Sequence, residues 1–335
     1  IFPAYGEDKV ILHTVKSFLL QHYPHDKYSV VVVSDHMLKE TNTELSKLPI
    51  TLLQPQFKNS SKAKALQFAI DNIHDNFDNI VILDADNIVQ PDFLEKLNEI
   101  CNQGFSAIQC HRCAKNAENQ IAQLDGISEE INNSLFRKGH NNIGLSSALI
   151  GSGMCFDYLW FKAHVHLLST AGEDREIEKM LLIEHIYIKY VEDIDVFDEK
   201  VGNEDNFQLQ RQRWMSAQLN CLLSMMKNLP TSIVHLNVNY IDKTIQQMLI
   251  PRSMLLVGTF VWALLMSVFE MSWAYKWWGL FALTSLSLWI AIPRKMRNGG
   301  LAQLITHLPR LTWRMMSNIR HIDSENREFI HTSHE

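Results

Sequence analysis

Three short, mostly apolar runs, Val30–Val33, Ile80–Leu83 and Ala107–Cys110, are separated by stretches whose apolar residues recur at helical spacing. That alternation leaves few folds open. Short apolar runs suit strands covered on both faces, as in parallel sheets. The intervening helical periods are Ile11, Val15, Phe18 and Leu19, then Leu66, Ala69, Ile70 and Ile73, then Leu94, Leu97 and Cys101. Pro91 sits where the first turn of the third helix would begin. From Ile1 to about Asn116 the pattern therefore predicts an α/β, doubly wound sheet flanked by helices. Ligands of such sheets lie beyond the carboxyl ends of the strands, and Asp35, Asp84 and Asp86 all follow apolar runs directly.

From about Glu118 to Asn228 the pattern is less regular. Ala148–Phe156 reads as a strand with a small-residue turn at Gly151-Ser152-Gly153, and Asp174 opens a helix carrying Ile177, Met180 and Leu181. If Glu204–Lys227 is helical, Gln210, Arg213 and Trp214 fall at i, i+3 and i+4 on one face. An amide, a planar cationic fork and an aromatic plate together suit a diphosphate leaving group beside a sugar ring. The plain alternative is a core tryptophan beside a solvated arginine. Asp84-x-Asp86 can place one carboxylate on a ribose or an internal cation and the other on Mg2+ or Mn2+ at a diphosphate. It is also a common surface turn. Asp174 is either a helix cap or a base for an acceptor hydroxyl. Lys62, in Ser61-Lys62-Ala63, is either a surface lysine or a cation reaching an anionic donor.

A chain of 335 residues accommodates one large catalytic domain and an appendage, and its net charge of −6 argues against a nucleic-acid partner. Five scattered cysteines do not make a disulfide framework. Cys110-His111-Arg112-Cys113 has zinc-like spacing but no second pair, so it reads as the end of a buried strand. Ile1 already lies within an apparent strand, which reads as a fragment of a longer chain. No Gly-x-Gly-x-x-Gly follows the first strand, which argues against a dinucleotide-binding dehydrogenase.

Two uncharged stretches, near 253–269 and 277–293, lie at the short end of the roughly 17–25 residues that span a hydrocarbon core. Arg252 precedes the first, and Arg294, Lys295 and Arg297 follow the second. Trp273, Tyr275, Trp277 and Trp278 crowd the expected turn, as at a membrane interface. These features predict a transmembrane hairpin with both ends cytoplasmic; the alternative is a helical pair in a soluble core. Residues 302–319 read as an amphipathic interface helix kinked at Pro309.

The ordered set of motifs resembles the processive, membrane-embedded branch of glycosyltransferase family 2, which includes cellulose and hyaluronan synthases. Pro3-Ala4-Tyr5-Gly6-Glu7 is similar to that family's Pro-x-Tyr-Asn-Glu element, and Lys62-Ala63-x-Ala65-Leu66 to its Lys-Ala-x-Ala-Leu segment. Asp84-x-Asp86 resembles the metal and UDP motif, Glu173-Asp174 the Thr-Glu-Asp motif, and Gln210–Trp214 the Gln-x-x-Arg-Trp motif. Gly151-Ser152 resembles the element beside the acceptor end, and residues 329–334 a gating loop. Gly6, Ser61 and Gly172 depart from the family's usual Asn, Gly and Thr without removing a charge.

The resemblance implies a GT-A type catalytic domain over 1–230, with a nucleotide half at 1–116 and an acceptor half at 117–230, and a membrane region over 231–335. It further implies inverting transfer from a nucleotide-diphosphate sugar, UDP-sugar foremost, to a glycan or lipid-linked acceptor at the cytoplasmic face of a plasma or inner membrane, in contact with membrane lipid. Tyr5, Glu7 and Asp35 would surround the nucleoside, Lys62 the phosphates, and Asp86 with Asp84 the Mg2+ or Mn2+. Asp174 would act as base, Gln210 and Arg213 would clamp the diphosphate, and Trp214 would stack on the acceptor. A polymer channel would need further spans or a homo-oligomer. Rival expectations are a single sugar transfer to a lipid or short glycan, and an inactive nucleotide-sugar-binding membrane protein.

Overall fold

The structure, a computed structural model, describes residues 1–115, 120–170, 172–200 and 204–297. Strands β1 (Phe2–Tyr5), β2 (Val31–Asp35) and β3 (Thr51–Leu53) form a parallel sheet in that order. Strands β4 (Asn79–Ile82), β5 (Ile88–Val89), β6 (Ala107–Ala114), β7 (Met154–Asp157) and β8 (Ile188–Asp198) form a mixed sheet ordered β4-β7-β6-β8-β5. There β7 runs antiparallel to β4 and β6, while β8 is parallel to β6. Two backbone bonds join the sheets, Leu83 N to Ile1 O at 3.1 Å and Ile1 N to Val81 O at 2.7 Å.

Burial explains the apolar runs. Along β2, Val30 and Val32 enter one core with Phe2, Ile11, Val15 and Phe18, while Val31 and Val33 enter another with Ala65 and Ala69. Both faces of the strand are covered, so no polar alternation survives in its sequence. The helix Lys62–Asn72 begins at a cap in which Ser61 Oγ accepts the Lys64 N–H at 3.2 Å. The α/β mixed sheet with flanking helices agrees with the expected fold.

Two local expectations need correction. Of the expected strand at Ala148–Phe156 only Met154–Phe156 is extended in a ladder, within β7, because Gly151 and Gly153 take positive φ of 83° and 63° and break the run. The eleven-residue β8 went unrecognised. Its register against β6 slips between Cys110/Val191 and His111/Asp195; of the three extra residues Glu192 and Asp193 stay exposed and Ile194 is buried. Those acidic residues hide both the apolar run and the period of two. Cys110 and Cys113 lie within β6, as expected of a buried strand, and all five cysteines are free.

Beyond the sheet, the helix Glu204–Val234 runs through Pro230 and the helix Val238–Met248 packs back on it. The helices Arg252–Phe269 and Met271–Ala291 then form a hairpin joined at Glu270, with Phe260 against Trp278 at 5.8 Å and Trp262 against Trp277 at 5.9 Å. Among the described residues only Arg252–Phe269 is long and apolar enough to cross a membrane, by length and composition. The second helix starts six residues before its expected position at 277, so Trp273, Tyr275, Trp277 and Trp278 are helical and do not form a turn. No Gly or Pro lies between Glu270 and Trp278 to stop a helix there. The expected interface helix at 302–319 and tail at 329–334 lie outside the described residues.

One helix, Gln120–Asn132, gathers contacts from three directions. Its Asp125 accepts from Arg211 at 2.6 Å, and the Ser128 oxygens accept from Arg252 at 3.0 and 3.1 Å. Its Glu129 lies among Arg112, Arg137 and Lys200 at 3.1, 3.0 and 3.6 Å.

Candidate active site

The carboxyl ends of β1, β2 and β4 meet at one edge of the sheet, and the charged side chains gather there. Tyr5 and Asp35 are register partners at the ends of β1 and β2. Asp35 is buried, and its Oδ1 lies 2.7 Å from Nδ1 of His36, whose ring sits 5.1 Å from that of Tyr5. His36 adopts φ 55°, a left-handed conformation that turns the chain back over Tyr5. Glu7 follows the β1 turn and donates its N–H to Met37 Sδ at 3.0 Å. His36 was not singled out from the sequence; its position directly after a strand-end aspartate was the available signal.

Across β4, the Lys62 ammonium pairs with Asp84 Oδ1, donates to Gly151 O at 2.7 Å, and lies 3.6 Å from Glu173 Oε1. Burial alone would pull the ammonium down, but Asp84 and Glu173 outweigh it and hold it above the usual lysine range. Glu173 is buried, and desolvation pushes its carboxyl up to about 7, with Lys62 opposing and Asp174 adding to the rise. Asp174 Oδ1 accepts the Arg175 N–H at 2.8 Å. A Cβ placed on Gly151 would stand 3.8 Å from both Asp174 Oδ2 and Lys62 Nζ, so the glycine marks where these groups converge. Gly151→Ala is expected to cost about 1–2 kcal/mol of stability, because the left-handed backbone, rather than the available room, is what alanine disfavours. Urea denaturation of the two proteins side by side measures that difference.

Asp86 lies deeper. Its Oδ2 accepts the Glu199 N–H at 2.9 Å, and its Oδ1 accepts from Asn87 Nδ2 at 3.2 Å. Asn87 also donates to Asp198 Oδ1 at 3.1 Å and accepts the Asp84 N–H at 3.0 Å, so one amide braces both motif aspartates. Burial first, then Asp198 and Asp84, raise the Asp86 carboxyl well above the usual carboxylate range. Burial would also raise Asp198, yet Arg112 and Lys200, the latter at 2.8 Å, bring it below the usual range. Asp198 and Lys200 were missed in the sequence because β8 was missed, and the bracing roles of Asn87 and Arg112 depend on Asp198.

These residues fit a divalent cation. Among the described residues no group of three or more His, Cys, Asp or Glu forms a ready metal cage. Magnesium-type sites commonly use one or two carboxylates, with phosphates and water completing the shell. Each Asp86 oxygen accepts one of these bonds and retains a second lone pair. A cation would also relieve the crowding of Asp84, Asp86 and Asp198. Asp84 is engaged by Lys62 at Oδ1 and Asp86 accepts one bond at each oxygen, so both carboxylates keep acceptor capacity for a cation.

The helix Glu204–Val234 approaches from the other side. A Cβ on Gly172 would stand 3.1 Å from Ala217 Cβ, so this helix touches the chain just before Glu173. Ala217 lies one turn beyond Arg213 and two beyond Gln210, which sets that stripe towards the start of the Glu173–Ile183 helix. Gln210 Oε1 is buried without a hydrogen-bond partner, and Arg213 and Trp214 are half-buried. The Arg211 guanidinium covers one face of Trp214 at 4.7 Å while pairing with Asp125. Arg211 was read only as a neighbour of the motif, and its stacking role has no signal in spacing alone.

A family profile described as "Glycosyltransferase like family 2" matches residues 1–217. Among curated proteins none matches the sequence. Among solved structures, the mannosyltransferase PcManGT from Pyrobaculum calidifontis, in complex with GDP-Man and Mn2+, is similar with a TM-score of 0.56 at 14% identity, over 96% of this chain and 85% of that one. TarS 1-349 from S. aureus, in complex with UDP-GlcNAc, is similar with a TM-score of 0.52 at 13% identity, over 97% of this chain and 90% of that one. At such identities the likeness is one of fold.

Proposed function

Because the chain belongs to glycosyltransferase family 2, we propose that it transfers a sugar, with inversion, from a UDP-sugar to a hydroxyl of a glycan acceptor at the cytoplasmic face of a membrane. The observation that carries this reading is the meeting of Lys62, Asp84, Glu173 and Asp174 around Gly151, beside the braced carboxylate of Asp86.

Tyr5, Glu7 and Asp35 bind the nucleoside, with His36 as part of the same wall. Lys62 contacts the phosphates from the start of its helix. Asp86, assisted by Asp84, holds Mg2+ or Mn2+, whose charge when bound offsets that growing on the departing diphosphate. Arg213 adds a second cation on the leaving-group side, and Gln210 presents its buried amide oxygen there. Trp214, already backed by Arg211 on one face, offers the acceptor sugar its other face. Asp174 removes the acceptor proton: its Oδ1 is occupied by the Arg175 N–H, and Oδ2 points to the crevice side. The hairpin Arg252–Ala291 anchors this domain in the bilayer, and the stretch 1–230 acts as the catalytic domain.

The test is nucleoside diphosphate release in membranes, with a panel of UDP-sugars and GDP-mannose, the latter because the Pyrobaculum enzyme holds it. One donor is expected to give release that depends on Mg2+ or Mn2+ and is abolished by chelation. Product length on a gel separates polymer synthesis from a single transfer. Absence of release with every donor, from protein that is folded, would overturn the reading.

A further inference from the structure

Cys101 and Cys155 stand 54 positions apart in the chain, yet their Sγ atoms lie 3.8 Å apart, and both thiols are free. The fold brings them together from different layers. Cys101 ends the helix Phe93–Cys101, while Cys155 lies in β7 between β4 and β6. Side chains alternate along β7, so Met154 and Phe156 enter one core and Cys155 the other, against which the Cys101 side chain packs. Cys110 of β6 belongs to that same core.

The two sulfurs are not equivalent. Cys155 is 1% exposed, whereas Cys101 is half-buried at a helix end, so a small solute reaches Cys101 first. A hydrogen bond from the Cys155 thiol brings Cys101 below the usual thiol range against the opposing effect of burial. The same contact, then burial, pushes Cys155 well above it. A helix C-terminus by itself disfavours an anion, so the second cysteine is what makes the first a nucleophile. The other thiols are quenched by burial, which holds Cys110 high and pushes Cys113 up to about 12 and Cys221 to about 11. A disulfide needs about 2.0 Å between its sulfurs, so they must close by about 1.8 Å. Residues 102–104, directly after Cys101, are exposed, which leaves the helix end room to follow.

We propose that Cys101 and Cys155 are a redox-reactive pair: a hydroperoxide oxidises Cys101, and Cys155 closes a reversible disulfide. The Cys101 thiolate attacks one peroxide oxygen, the O–O bond breaks, and hydroxide leaves. Cys101 is then a sulfenic acid, oxidised by two electrons, and the peroxide is reduced. The Cys155 sulfur gives up its proton and displaces the hydroxyl from Cys101, so the S–S bond forms as the S–O bond breaks and water departs. In sum, two thiols and one hydrogen peroxide give one disulfide and two waters. The bond ties the end of the helix to the centre of the mixed sheet, and Arg112, Glu129 and Gly151 then lie on a closed loop of chain.

The experiment treats the folded, reduced full chain with a small excess of hydrogen peroxide, blocks the remaining thiols, and maps peptides by mass spectrometry without reductant. Cys101 is expected to lose its thiol about tenfold faster than Cys113 or Cys221. A Cys101–Cys155 linked peptide that dithiothreitol returns to both thiols supports the proposal. Cys155→Ala leaves Cys101 without a partner, so peroxide should carry it past sulfenic acid to sulfinic acid, where wild type stops at the disulfide. The proposal is overturned if wild-type Cys101 itself goes to sulfinic acid with Cys155 still a thiol. Linkage of Cys101 to Cys110 or to a second copy overturns it too, as does oxidation of Cys101 no faster than that of Cys113 and Cys221. The wild-type map decides even where the variant does not fold.

Discussion

Replacement of Asp174 by asparagine is expected to lower sugar transfer by roughly two to four orders of magnitude, the range a positioned general base contributes. Donor binding should change little, because Lys62 keeps its contacts to Asp84, Gly151 O and Glu173. The amide can still accept the Arg175 N–H through its oxygen, so the start of the helix keeps its bond. The comparison that matters is with Glu173→Gln. Glu173 is buried and engaged by Lys62, so its loss should disturb phosphate contacts and donor affinity before it touches proton transfer. Transfer rates under saturating donor, with affinity measured separately by calorimetry, distinguish the two. Asp174→Asn with near-wild-type turnover removes Asp174 from the base role, and loss of turnover only in Glu173→Gln moves that role to its neighbour.

Asp86→Asn should lower turnover by roughly 10²–10³-fold, as expected when one element of leaving-group stabilisation is removed. The fold should tolerate the change. At pH above the raised folded value, a buried negative charge crowded by Asp198 and Asp84 disappears, which stabilises the protein. Against this, the new NH2 faces one of the two donors, Glu199 N–H or Asn87 Nδ2, at a cost of about 1–3 kcal/mol. These terms oppose each other, so the catalytic loss should far exceed the change in unfolding free energy. The pH dependence follows from linkage. The folded state binds the Asp86 proton more tightly than the unfolded chain does, so the wild type's stability relative to the variant is greatest at acid pH and falls as pH rises through the folded value. Thermal melts with UDP, with and without Mn2+, complete the comparison: Mn2+ should add to the stability that wild type gains from UDP by mass action, and should add nothing to the variant's. An equal gain from Mn2+ in both would remove Asp86 as the ligand.

What the sequence revealed and what it concealed follow from how each signal is written in the chain. β2 and β4 were legible because they are buried on both faces, which demands unbroken apolar runs at Val30–Val33 and Ile80–Leu83. Asp35 and Asp84 were legible by position, immediately after those runs. β8 was not, because Glu192, Asp193 and Asp195 sit at its register slip and on its exposed edge, and they look like loop residues until the strand beside them is known. With β8 went Asp198 and Lys200, and so the brace that links Asp86 through Asn87 to Arg112. Arg211 was hidden for a different reason: it acts by stacking on Trp214, and such geometry leaves no trace in spacing, whereas His36 was marked only by its place directly after Asp35. The hairpin was recognisable from its two uncharged stretches and from the basic residues Arg252, Arg294, Lys295 and Arg297 at its ends, but a lone Glu270 is too slight a punctuation to mark where its second helix begins.

The Gln120–Asn132 helix works as a keel. Guanidinium groups from three distant segments, Arg211 beside the tryptophan, Arg252 at the foot of the hairpin and Arg112 under the aspartate brace, all terminate on it within two turns. The crevice is therefore not a rigid box carried passively by the hairpin. Tilt of the hairpin pulls on the same rod that seats the aromatic plate and steadies the carboxylates, so damage at Asp125 or Ser128 should register at both ends of the crevice together, not at either one alone.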